Sequence, residues 1–173
     1  PSSGLAATAM AAHYERAGLP EQAAPWYLRA AQTARQVYAN ADAVALLQRG
    51  LALFGNEGPA GLATERSGKV AAGLYEELGD VLDLRAEHDQ ALDAYQRALS
   101  AVPPADRVRQ ARLHRKASAA MRERRLYQEA LAACGRAEHV LGERPEGDAG
   151  PWWAEWLEIQ IEQVWAHYWL ARW

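Results

Sequence analysis

An all-helical fold, laid out as a stack of antiparallel helix pairs, is the class this sequence predicts, and three observations carry it. Of the 173 residues 38 are Ala and 20 are Leu, a third of the chain in two strong helix formers. Val, Ile and Thr together number 13, too few for the β-branched alternation of a sandwich or barrel. Small residues also recur seven apart with a larger one between: Ala23, Tyr27 and Ala30; Ala91, Tyr95 and Ala98; Ala130, Cys134 and Ala137; and, more weakly, Ala43, Leu47 and Gly50. On a helix each triplet is a single stripe, and its small ends let a neighbouring helix come close.

The elements follow in order. A first helix over 5–18 carries Tyr14 and stops at the turn signal Gly18; a second over 21–38 carries the first triplet. Helix 41–54 carries the weak triplet and ends in the loop 55–61, rich in Gly and Pro. Helix 67–86 contains Tyr75, Leu78, Gly79 and Leu82, and helix 89–101 holds the next triplet until Pro103 stops it. Helices 106–125 and 128–141 make the following pair, a second loop spans 142–151, and a last helix covers 151–172.

Leu-Gly in a first helix, then Ala, an aromatic and Ala in a second, then a closing Pro, resembles the tetratricopeptide repeat. The unit at 72–105 carries nearly the whole pattern in 34 residues: Tyr75, Leu78, Gly79, Ala91, Tyr95, Ala98 and Pro103. Units at 4–37 and 111–144 are degenerate, the latter with Ala117 and Ser118 in place of Leu-Gly. Between 38 and 66 helix 41–54 looks like a second repeat helix with no first, and 158–173 reads as half a repeat, with Ala166-His167-Tyr168 echoing Ala12-His13-Tyr14. The resemblance implies a right-handed superhelix, in one domain over 1–173 that is expected to be a piece of a longer protein.

Two segments resemble a narrower group. Ala11 to Ala23, running into Tyr27-Leu-Arg-Ala-Ala-Gln and Ala43-Val-Ala-Leu-Leu-Gln-Arg-Gly, is similar to the helical region that follows the nucleotide-binding module of large bacterial signalling ATPases, relatives of transcriptional activators and of proteins with an adenylate cyclase domain. Residues 152–169 are similar to a stretch in the cyclase-linked members. In that family the ATPase and cyclase chemistry lies in other domains, so the resemblance implies a sensing or scaffolding role.

Composition and motifs exclude more than they assign. A net charge of -3 gives no reason to expect wholesale nucleic-acid or anionic-membrane binding. The lone Cys134 excludes an internal disulfide and fits a reducing compartment, and no apolar run approaches a bilayer's span, so a cytoplasmic location without membrane contact is expected. The chain starts with Pro-Ser-Ser-Gly, which lacks the features of a signal peptide. The 55–61 loop lacks the Lys-Ser or Lys-Thr of a phosphate-binding loop, and the five His show no metal-ligand spacing. His13 and His167, in matching places, read as packing residues, and Cys134 as a small buried hydrophobe. No cofactor, metal or catalytic residue is assigned, and no enzyme is expected.

Charge marks a candidate site. Glu76, Asp80 and Asp83 share one helical face in the 72–105 unit, and Arg112, Arg115 and Arg122 share one in the next. In the family geometry such faces line a concave surface. They read either as stripes that solvate or pair, or as a polarised groove for a charged peptide or a neighbouring domain, with the arginines gripping carboxylates. Residues 106–125 hold eight Lys or Arg against two acids without an aromatic, which speaks against a single-stranded nucleic-acid platform.

Six of the seven tryptophans lie in the last 22 residues, and Trp165, Trp169 and Trp173 form an i, i+4, i+8 stripe. That stripe needs a cover: a following helix, or a second copy in a homodimer. The function expected is a protein-protein interaction scaffold or sensor in a bacterial regulator. A spacer coupling an ATPase switch to an output domain, with no ligand of its own, is the alternative.

Overall fold

A computed structural model describes residues 2–55, 65–147 and 149–171. Among these the chain is all-α, with eight helices. They are α1 (Ser2–Arg16), α2 (Pro20–Gln36), α3 (Asn40–Ala52), α4 (Glu65–Leu84), α5 (His88–Ala101), α6 (Arg107–Glu123), α7 (Tyr127–Leu141) and α8 (Gly150–Leu170). Every expected helix is present, its bounds shifted by a few residues at most. No helix among the described residues is long and apolar enough to cross a membrane.

Contacts divide the chain into two compact units, Pro1–Pro103 and Pro104–Trp173. In the first, α2 packs on α1 and on α3, α4 packs on both α2 and α3, and α5 packs on α4. In the second, α7 packs on α6, and α8 packs on both α6 and α7. Thus α4 and α8 each close over a preceding antiparallel pair.

Four helix-helix turns share one hydrogen-bond pattern. A residue at positive φ, Gly18, Tyr38, Ala86 or Arg125, donates its N–H three residues back, and the next residue donates five back, as in Leu19 N–H to the Tyr14 carbonyl and Leu126 N–H to the Met121 carbonyl. This double closure satisfies carbonyls that a helix end leaves open. The following carbonyl then accepts from Ala23, Ala43, Ala91 or Ala130, starting the next helix. Only Gly18 announces its turn in the sequence, because Tyr38, Ala86 and Arg125 adopt the left-handed conformation at some local cost.

These turns set the register of the small-residue stripes. Both small ends of all four triplets are buried: Ala23 and Ala30, Ala43 and Gly50, Ala91 and Ala98, Ala130 and Ala137. The central residues Tyr27, Leu47, Tyr95 and Cys134 stand nine residues after the turn, and Ala11, Ala31, Gly79 and Ser118 stand seven before it. Size is traded across these positions. Gly79 faces the Tyr95 ring so closely that a Cβ would sit 2.4 Å from it, Ala11 packs with Tyr27, and the Ser118 hydroxyl lies 3.1 Å from the Cys134 thiol. Cys134 is buried as expected, and burial pushes its thiol above the usual value.

Between 38 and 66 the described residues hold α3 and the start of α4, and α3 is joined to α2 by the same kind of turn that joins α1 to α2. So α2 acts as the second helix of one pair and the first of the next. Residues 56–61 of the expected loop lie outside the described residues. One packing expectation is corrected: His13 and His167 are exposed, with His13 touching Tyr14 edge-on at 5.7 Å.

Candidate interaction face on the last helix

The three arginines of the predicted basic site line one side of α6, and all three point at carboxylates of α8. Arg115 Nε donates to Glu155 Oε1 at 2.6 Å and Arg112 Nε to Glu155 Oε2 at 3.4 Å. Arg122 Nε donates to Glu162 Oε1 at 2.9 Å, and Arg122 Nη1 also reaches Glu123 at 2.7 Å. Glu155 and Glu162 are only 4 % and 8 % exposed, so the acidic side of this ion-pair ladder is taken out of water while the arginines keep part of their surface in it. Burial pushes the Glu162 carboxyl above its ordinary value, with the Arg122 hydrogen bond and charge pulling part of the way back. At Arg115 burial works against the charge, and the hydrogen bond and field of the α8 glutamates outweigh it.

The acidic half of the predicted site belongs to the other unit. Asp80 accepts from the Tyr95 hydroxyl at 3.0 Å, and Asp83 meets His88 Nδ1 at 2.8 Å. Burial, followed by the charges of Asp80, Asp83 and Glu76, raises the Tyr95 hydroxyl far above its usual range. A related device serves α1 and α2. Tyr27 donates to Glu15 at 2.5 Å, and Arg49 clasps the same carboxylate at 2.8 Å. Tyr27 is pushed up to about 12, first by burial and then by that hydrogen bond, while Glu15 is held below the usual carboxylate range by Tyr27 and Arg49.

Helix α8 is inside out. Its buried face consists of Glu155, Ile159, Glu162 and Ala166. Around the helix, Trp153, Leu157, Ile161, Val164, Trp165 and Tyr168 are between 44 and 67 % exposed. At 3.6 residues per turn those six fall within about a third of the circumference, opposite the buried glutamates. A helix ordinarily turns its apolar stripe to the core. Here the arginines of α6 let the polar stripe face inward and leave the apolar one outside.

The tryptophans divide accordingly. Trp152 and Trp156 stack at 6.3 Å against the core of Ala111, Cys134, Ala137, Leu141 and Ile159, and Trp152 Nε1 donates to the Gly142 carbonyl at 3.2 Å. Trp153 sets its edge on both, with Arg144 over its ring at 6.0 Å. Of the predicted stripe, Trp165 is on the exposed face, Trp169 is partly buried beside a recess lined by Arg122, Glu123, Arg125 and Tyr127, and Trp173 lies outside the described residues. Sequence reasoning missed Leu157, Ile161 and Val164. No sequence signal marks them, because the outer side of α8 follows from the inward turn of Glu155, Ile159 and Glu162, which packing on α6 and α7 decides.

Two apolar-to-mixed grooves lie in the first unit. One, of about 520 Å³, runs between α1, α2 and α3 past Leu5, Val37 and Leu46; another, of about 580 Å³, runs between α3, α4 and α5 past Tyr75, Asp89, Asp93 and Arg97. Among the described residues no group of three or more His, Cys, Asp or Glu is arranged to hold a metal ion. No protein-family model matches the chain, and no curated protein shows significant similarity to it.

Proposed function

We propose that this chain is a tetratricopeptide-like interaction module whose binding surface is the outer face of α8. The observation that carries the reading is the exposed run of Trp153, Leu157, Ile161, Val164, Trp165 and Tyr168 on a helix held by the α6 arginines. Each of these side chains leaves roughly 100 Å² in water, a patch of about 600 Å², at the upper end of what monomeric proteins tolerate and rich in the residue types that dominate binding energy. Arg112, Arg115 and Arg122 act in this reading as the groups that position α8, and Glu76, Asp80 and Asp83 remain candidates for polar contacts of the first unit. The repeated turn pattern and the α4-on-α2 and α8-on-α6 packing support a repeat superhelix. The sequence resemblance implies, for such a module, a bacterial signalling protein in which it docks a peptide or neighbouring domain.

The test is selection of a phage-displayed library of amphipathic helical peptides on protein immobilised sparsely enough to keep copies apart. Clones are expected whose binding drops at least tenfold with Leu157→Asp or Trp165→Ala, while the thermal melt is unchanged. If every recovered clone binds the variants as well as the wild type, the α8 face is not the binding surface.

A further inference from the structure

The outer face of α8 has an internal symmetry that selects one occupant. Leu157 and Trp165 lie four residues to either side of Ile161, and Trp153 and Tyr168 lie eight and seven away. Laid antiparallel on its own copy about a two-fold axis through Ile161, the helix sets Leu157 against Trp165, Trp153 against Trp169, Tyr168 against Ala154, and Ile161 against itself. Large side chains then meet at the axis and on either side of it, and the one acid bordering the stripe, Glu158, falls opposite the uncharged Val164 of the other copy. No like charges are forced together. We infer that this face pairs with a second copy of the chain, giving a two-fold dimer through an antiparallel α8 pair.

Two further observations favour a second copy over another repeat helix. Glu77 of α4 and Glu162 of α8 hold corresponding places, each gripped by an Arg three residues before a turn, Arg35 at 2.6 Å and Arg122 at 2.9 Å. Carrying that offset of 85 residues along the helix sets Trp153, Leu157 and Val164 at the positions of Gly68, Ala72 and Gly79. Gly68 and Gly79 are where α5 comes close to α4, with a Cβ at Gly68 only 3.3 Å from the Ala101 carbonyl and one at Gly79 meeting Tyr95. With Trp and Val there instead, α8 cannot take a helix at the distance α5 adopts. The same offset sets Ile161, Trp165 and Tyr168 at the positions of Glu76, Asp80 and Asp83, so the apolar surface extends over a sector that in α4 is acidic. Two such faces together expose about 1,200 Å², enough to supply the roughly 1,000 Å² of a specific interface.

This dimer rests on the α8 face being a binding surface, and sedimentation velocity over a hundredfold range of concentration separates the two. The wild-type chain is expected to sediment as a dimer. Ile161→Glu, an exposed position where the two copies would bring carboxylates together, is expected to weaken association more than a hundredfold with helical content and melting unchanged. An equimolar mixture of Ile161→Glu and Ile161→Lys chains is expected to regain the dimer, because only a residue at the axis meets its own counterpart. Wild type that stays monomeric, Ile161→Glu that stays dimeric, or a mixture that fails to recover would each overturn the assignment. A monomeric wild type that still selects α8-dependent peptides would discard the dimer and leave the interaction face standing.

Discussion

Helices α4 and α8 solve the same packing problem and present opposite outer surfaces. Each sits across a helix pair, burying an aliphatic residue, a glutamate and a second small or aliphatic residue at matching spacing: Leu74, Glu77 and Val81 in α4, Ile159, Glu162 and Ala166 in α8. Each glutamate is tied to an arginine on the helix beneath, Arg35 for α4 and Arg122 for α8. Beyond that shared socket they diverge. Helix α4 offers Gly68 and Gly79 to α5 and acids to the rest, whereas α8 offers six large apolar side chains. An ion pair in the socket fixes a helix in place whatever its far side carries, so the far side is free to specialise. The extra rung at Glu155, held by Arg112 and Arg115, secures the more demanding of the two.

That comparison can be broken most sharply at the extra rung. Arg115→Leu leaves the buried Glu155 with only the longer Arg112 contact, and a loss of about 3 kcal/mol in unfolding free energy is expected, since removing one partner strands a charge away from water. Tryptophan emission reads it, because six of the seven indoles lie in residues 152–173. A loss below 1 kcal/mol would mean that the ladder does not seat α8.

The next effect contrasts corresponding outer positions. Gly79→Ala drives a methyl into the Tyr95 ring and is expected to cost about 2 kcal/mol by overpacking. Val164→Ala, at the counterpart in α8, removes exposed surface and should cost the monomer less than about 0.5 kcal/mol. Equal costs in denaturant titrations would show that α8's outer face is packed within its own chain.

The smallest expected effect is a difference in pH slope. Glu15 has a depressed carboxyl, so the unfolded chain binds the extra proton; its contribution is complete above about pH 4.5 and is lost as pH falls through the lower folded value. Glu162 has a raised carboxyl, so the folded chain binds the extra proton; its contribution is present in acid and diminishes as pH rises above about 4.5. Tyr27→Phe should therefore flatten the acid side of the stability profile, and Glu162→Gln the side above it. Unfolding curves between pH 3 and 7 for both variants check the two signs, and a slope left unchanged in either would remove that residue from the account.

Much of the fold is legible from local pattern. The Ala triplets, Gly18, Pro103 and Gly142 mark helices and their ends, because helix propensity, chain breakers and small-residue stripes are properties of near neighbours. The turns at Tyr38, Ala86 and Arg125 are less legible. Their residues do not favour positive φ, and the conformation is imposed by the packing of the helices they join. Of the candidate site, the sequence shows charged faces on α4 and α6 and a tryptophan surplus in α8. It does not show which charges find partners.

Composition and local pattern suffice to show that the chain is helical, where its helices lie, which of their faces carry small residues, and that α8 holds too many tryptophans for an ordinary surface helix. Which side of α8 turns inward follows from its packing on α6 and α7. Helical periodicity assigns an apolar stripe to the core by default, and that default fails when arginines on a helix 40 residues away in sequence supply partners for buried glutamates, as Arg115 does for Glu155. Such pairing depends on distance in space, so the helix's orientation, and with it the exposed apolar face, is settled when α8 packs on α6 and α7.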